Sequence, residues 1–183
     1  MQRTLVERAQ DGDAAAFDAL ARVAADRLMA IAYRILRDAG RAEDAVQQTL
    51  LEAWRRLPSL RDPDRFDAWL HRILVHACYA EARQVRRARS EIPLLPVHEP
   101  AGPDELLAVA HRDQLERAFR RLSPEQRAVV VLHHELGLTQ AQIAEQLGLP
   151  LGTVKSRLHH ATTLLRAAVD ADARTTSPRE RTA

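Results

Sequence analysis

Residues 91–104, EIPLLPVHEPAGPD, hold four prolines and neither Lys nor Arg. Proline lacks a backbone N–H and clashes with the preceding helical turn, so no regular helix crosses this stretch. It also stiffens the chain, which makes the segment an extended linker rather than a floppy one. On either side the sequence changes character, into long segments with apolar residues at helical spacing. The whole 183-residue chain has only six glycines. The expected fold is all-α, two small helical domains joined by a proline-rich linker. The divisions fall at 1–89, 90–104 and 105–169. A tail of residues 170–183, without large apolar side chains, is expected to be disordered.

The cores must be built from Leu, Ala, Val and Ile, because hydrophobic residues make up 46% of the chain and aromatics only 4%. The net charge of +2 does not by itself predict a nucleic-acid partner, although the pI of about 9.2 is basic. Local clusters decide that question. The single cysteine, Cys78, excludes an internal disulfide and fits a reducing cytoplasm. No signal peptide or membrane-spanning apolar run is present. A cytoplasmic protein without membrane insertion is expected.

In the first half, a short helical start at 5–10 leads to Asp13, a good helix cap. A long helix is expected from about 14 to 37, with Phe17, Leu20, Ala24, Leu28, Ile31 and Ile35 as its buried stripe. Asp38-Ala39-Gly40 should end it. The next helix, 42–57, turns Asp44, Gln47, Gln48, Glu52 and Arg55 outward. A loop over 58–67 precedes a helix over 67–89. That helix closes on a basic run of Arg83, Arg86, Arg87 and Arg89. Cations at a helix C-terminus are favourable against its dipole, but the density of this run favours phosphate contact.

In the second half, a helix is expected over 105–122. Ser123-Pro124-Glu125-Gln126 then gives a strong helix start, with a Ser cap, Pro at the first helical position and Gln at the third. Residues 138–166, LTQAQIAEQLGLPLGTVKSRLHHATTLLR, read as two short helices around a turn. Thr139 and Gln142 can form a capping box, and Gly148-Leu149-Pro150 breaks the first helix. The second buries Val154, Leu158, Ala161 and Leu165. It leaves Thr153, Lys155, Ser156, Arg157, His159 and His160 outward, and no carboxylate occurs between Leu147 and Val169. An ordinary solvated face mixes both signs of charge. A face made of donors suits the negative major groove of DNA.

These elements resemble the extracytoplasmic-function sigma factors, the group 4 members of the sigma-70 family. Three passages carry the resemblance: AEDAVQQTLLEAW at 42–54, FDAWLHRILVHACYAEAR at 66–83, and the region from Leu122 to Arg166. A helix-turn-helix alone is weakly specific; the three in this order around a proline-rich linker are highly specific. The resemblance implies a promoter-specificity subunit, not an enzyme, which binds RNA polymerase core and directs initiation at −35/−10 promoters. Its implied partners are promoter DNA and the clamp and flap of the polymerase, the clamp lying on the largest subunit. Members are often held inactive by an anti-sigma factor, so a partner of that class is implied as well.

By the same resemblance, Asp44, Gln47, Leu51, Trp54 and Arg55 dock on the clamp coiled coil. Arg61, Arg65, Phe66, His76, Arg83, Arg86 and Arg87 serve the −10 element, where a base is flipped from the stack into a protein pocket. Thr153, Lys155, Ser156, Arg157, His159 and His160 serve the −35 element. The sequence departs from the family at His76, where Asn is usual, at Ala80, where Asp is usual, and at His160, where Arg is usual. Neither a metal nor another cofactor is expected. The pairs His133-His134 and His159-His160 are adjacent, so their side chains point to different helix faces, and a single Cys completes no metal site. The alternative is a stand-alone helix-turn-helix regulator, which leaves the first domain without a purpose.

A neutral imidazole offers one donor where guanidinium offers five. His160→Arg is therefore expected to tighten −35 binding. Titrating both proteins onto the same DNA at fixed salt checks this, and equal or weaker binding by the Arg variant would sink it.

Overall fold

The computed structural model describes residues 1–91 and 108–175, and among them the regular elements are helical. The order is α1 (Gln2–Gln10), α2 (Ala14–Leu36), α3 (Ala39–Arg56), α4 (Phe66–Glu91), α5 (Ala108–Arg121), α6 (Pro124–His134), α7 (Gln140–Leu147) and α8 (Leu151–Thr175). Two 3-10 turns, Leu57–Ser59 and Pro63–Arg65, fill the loop before α4. The fold is thus all-α, with one helical domain in residues 1–91 and one in residues 108–175. Most of the expected proline linker lies outside the described residues.

Local sequence sets most helix boundaries. Asp13 accepts from the Ala16 N–H at 3.0 Å and starts α2. Ser123 with Gln126, and Thr139 with Gln142, close the two expected capping boxes at α6 and α7. Gly148 ends α7 in the left-handed region at φ 66°, where a side chain would be strained.

Two expectations are corrected. The break between α2 and α3 falls at Arg37 and Asp38, not at 38–40. Arg37 adopts φ 60°, and the Asp38 carboxylate immediately accepts from the Arg41 N–H at 3.0 Å. One left-handed residue followed by a strong cap turns the chain, so Gly40 lies inside the first turn of α3. The tail expected to be disordered from 170 instead continues α8 to Thr175. Alanines at 171 and 173 propagate a helix that meets no breaker there.

The packing is the larger surprise. α6 buries Ala128, Val129, Val130, Val131 and Leu132 in succession. A helix apolar all round must be covered all round. α2 and α4 of the first domain cover one side of it, α7 and α8 the other. Val6, Leu28, Ile35, Leu74, Val131, Ile143 and Val154 thereby belong to one continuous core. The two domains meet across α6 instead of standing a linker's length apart.

His71 of α4 is buried beside a cavity of about 220 Å³ that Leu20, Leu28, Phe66 and Leu70 also line. Burial, with Arg27 nearby, pushes its imidazole down to about 4. An unfolded histidine takes its proton near 6.5. The unfolded state therefore binds more protons below that pH. The resulting stability is complete above about 6.5 and is lost as pH falls towards 4. His71→Gln should remove this slope, up to about 1.4 kcal/mol per pH unit. Urea unfolding of both proteins at several pH values reads the difference, and parallel stability–pH curves would refute it.

Candidate nucleic-acid interface

Three groups of side chains stand out on the surface. On α3, Asp44, Gln47, Leu51, Trp54 and Arg55 are all exposed, at the i, i+3, i+7, i+10, i+11 spacing of one face. Leu51 is 48% and Trp54 38% exposed, which is unusual for large apolar side chains. The inner edge of Trp54 rests on Phe17, ring centroids 5.0 Å apart. The opposite side of α3 buries Ala42, Ala45, Thr49 and Ala53, and the Thr49 hydroxyl donates to the Ala45 carbonyl at 2.6 Å. α3 is thereby fixed on α2 and α4 while its apolar outer face has no partner among the described residues.

The second group lies along α4 and the loop before it. Arg61, Arg65, His76, Arg83, Arg86 and Arg87 are exposed. Burial, and then the charge of Arg72, pushes His76 down from its ordinary value. Phe66, expected to face a base, is instead only 3% exposed and belongs to the core. It opens α4 on the side that carries Leu70, Ile73 and Leu74, so helical spacing turns it inward. Trp69, one turn on, is half-buried and packs 6.0 Å from Phe66. It lines a cleft of about 550 Å³ together with Arg61, Arg65 and Arg72. Arg72 was not singled out from the sequence, although it lies one turn before His76 on the same face.

The third group is on α8. Val154, Leu158 and Ala161 are buried as expected. Lys155, Ser156, His159 and His160 are exposed, whereas Thr153 and Arg157 are half-buried. Arg157 Nη1 is enclosed without a hydrogen-bond partner. It acts electrostatically on Tyr79 of α4, whose phenol burial pushes up to about 12. The open donor face of α8 is therefore narrower than the sequence suggests. The turn between α6 and α7 is held by His133, whose Nδ1–H donates to the Leu138 carbonyl at 2.7 Å.

Sequence reasoning missed the contacts that join the two domains. Arg127 donates from Nε to Leu122 O at 3.1 Å, from Nη1 to Ile35 O at 2.6 Å and from Nη2 to Arg120 O at 3.2 Å. One guanidinium thus serves carbonyls at the ends of α2 and α5, where helix carbonyls lack intrahelical partners. Desolvation, and then Arg37, pushes Arg127 down to about 10. Arg34 pairs with Glu135 and Arg37 with Glu116, and the Arg37 guanidinium lies over the Tyr33 and Phe119 rings. On the other flank Arg65 pairs with Glu145 at 2.7 Å and Arg86 with Glu125 at 3.0 Å.

Among the described residues no group of three or more His, Cys, Asp or Glu could hold a metal ion, and no helix is long and apolar enough to cross a membrane. Cys78 is buried, and desolvation pushes its thiol up to about 12, so it behaves as a small core side chain.

Residues 9–88 match the family model for Sigma-70 region 2, and residues 112–165 that for Sigma-70, region 4. The chain is 38% identical over 162 residues to the ECF RNA polymerase sigma factor SigL of Mycobacterium tuberculosis, covering 85% of this chain and 92% of that protein. It is 32% identical over 173 residues to the RNA polymerase sigma-E factor of Streptomyces coelicolor, covering 93% and 97%. Among solved structures, CnrH in complex with the cytosolic domain of CnrY is similar at 30% identity and TM-score 0.64, covering 93% of this chain and 98% of that one. The sigma factor RpoE in complex with the anti-sigma factor NepR, from Bartonella quintana, is similar at 26% identity and TM-score 0.67, covering 85% and 98%.

Proposed function

The chain belongs to the sigma-70 family as an extracytoplasmic-function sigma factor, and from that premise we propose how its three surfaces divide the work. As a promoter-specificity subunit it binds RNA polymerase core and directs DNA-dependent initiation. Asp44, Gln47, Leu51, Trp54 and Arg55 on α3 dock on the clamp coiled coil of the largest subunit. The C-terminal domain, residues 105–169, sits on the flap and reads −35. Residues 1–89 dock, read −10 and melt the duplex, and residues 90–104 tether the two.

At −35, Lys155 and Ser156 reach base edges or phosphate with His159 and His160, while Thr153 and Arg157 meet phosphate. At −10, Arg61, Arg65, Arg83, Arg86 and Arg87 follow the backbone, and His76 stands where the family reads a base. Trp69 replaces Phe66 as the stacking surface, since aromatic faces hold unstacked bases without regard to sequence. An anti-sigma factor is the natural regulator to propose, because the similar RpoE structure holds the anti-sigma factor NepR.

The single observation that carries this reading is the outer face of α8. Its exposed side chains Lys155, Ser156, His159 and His160 are all donors or ambivalent groups, with no carboxylate among them. A helix evolved only to be wetted has no reason to exclude acids from Leu151 to Val169.

Purified protein added to sigma-free core polymerase should give transcripts from a subset of candidate promoters. A stand-alone regulator would bind DNA yet give none. Leu51→Ala should weaken core binding about five- to thirty-fold while leaving −35 binding unchanged, as expected for an exposed apolar anchor at an interface. Unaltered core affinity would rule out the α3 face as the docking surface.

A further inference from the structure

The cavity beside His71 has no part in the surfaces proposed above. Its walls come from α1, α2 and the start of α4, where Leu5, Leu20, Leu28, Phe66 and Leu70 make it apolar. Close-packed interiors leave few voids larger than a water molecule. This one, at about 220 Å³, exceeds the dry cavity of roughly 150 Å³ that admits benzene in an engineered protein. It is also reachable, since Val23 on its rim is 85% exposed.

Three polar groups border this apolar space. His71 is only 6% exposed, and its ring makes no hydrogen bond with another described residue. Buried polar groups are normally partnered, so an imidazole left alone beside a cavity calls for a partner inside it. Burial keeps the ring neutral at pH 7, with one N–H to donate. Arg27 is exposed at the mouth, and its guanidinium forms no ion pair among the described residues. Arg27 acts electrostatically on His71, so cation and imidazole lie close enough to meet one ligand. The third group, Asp67, is already engaged, accepting from Gln2 Nε2 at 2.9 Å.

We propose that this cavity is a binding site for a small aromatic or branched-chain monocarboxylate, with its apolar body inside and its carboxylate held between Arg27 and the His71 N–H. A guanidinium fork matches the two oxygens of a carboxylate. An apolar pocket with a few convergent polar groups is the usual form of a small-molecule site. An anion is favoured over a cation because the groups left without partners are donors, whereas the one acid already has a donor. Phe66 lines the cavity, and Trp69, 6.0 Å from it, lines the cleft beside α4. An occupant therefore touches the ring that backs the stacking surface assigned to −10. That consequence rests on the function proposed above; the binding itself does not.

The test titrates the full chain at pH 7 and fixed ionic strength with three probes of one shape: benzoate, benzyl alcohol and benzylamine. Binding is followed through the ring protons of His71 by NMR, their resonances assigned by their loss in His71→Gln. Benzoate should shift these resonances and saturate. Benzyl alcohol, with the same ring and no charge, should bind about ten-fold more weakly, as expected for the loss of one charge-assisted contact open to solvent. Arg27→Gln should lower benzoate affinity to that of benzyl alcohol and leave benzyl alcohol unchanged. Arg27 lies on the surface, so this exchange removes no core contact. Absence of a saturable shift with benzoate would mean that the cavity takes up solvent only, and would overturn the proposal. Equal binding of the alcohol, tighter binding of the amine, or unchanged benzoate affinity in Arg27→Gln would overturn it too. No readout involves polymerase or DNA, so failure of the unaltered protein to start transcription counts against the functional reading alone.

Discussion

Everything in this structure depends on the burial of α6. Its five consecutive buried residues, 128 to 132, cannot be satisfied by one partner layer. α8 and α7 cover the side that makes a helix-turn-helix domain, and the opposite side would be wet if that domain stood alone. α2 and α4 complete the cover. Burying a Val or Leu side chain is worth roughly 1.5–3 kcal/mol relative to exposure. The first domain is therefore drawn onto the second by the hydrophobic effect before any charged pair forms. The polar contacts then fix the register. Arg127 does most of this, because its planar fork reaches three carbonyls and so joins the ends of α2 and α5 in one geometry.

The sequence made the helices legible for a local reason. Caps and breakers act within four residues, and Asp13, Ser123 with Gln126, Thr139 with Gln142 and Gly148 all perform as their spacing implies. The buried stripes of α2 and α8 follow from the helical period alone. Misreadings arose where a local rule had two solutions. Asp38-Ala39-Gly40 contains both a terminator and a cap, and the cap prevailed because Arg37 adopts the left-handed conformation that ends α2. Phe66 was assigned outward for its chemistry, although its spacing to Leu70 and Ile73 already turned it inward.

The contacts between the domains were illegible for the opposite reason. Glu145 and Arg65 are ordinary surface residues in their own helices, and nothing within either segment marks them as partners. One signal was present, the run Val129-Val130-Val131-Leu132. In a short helix that run exceeds what a single apolar face can use, and so calls for cover from a second body. The proline-rich segment argued the other way, and separation was the simpler inference. A linker limits how far two domains can part; it does not keep them from touching.

The recognition helix shows what this contact implies. Lys155, Ser156, His159 and His160 lie open, yet Arg157 is drawn beneath them towards Tyr79. A guanidinium cannot meet a phosphate and line the α4 seam at once. Whatever binds α8 must either do without Arg157 Nη1 or draw it out of its enclosed position.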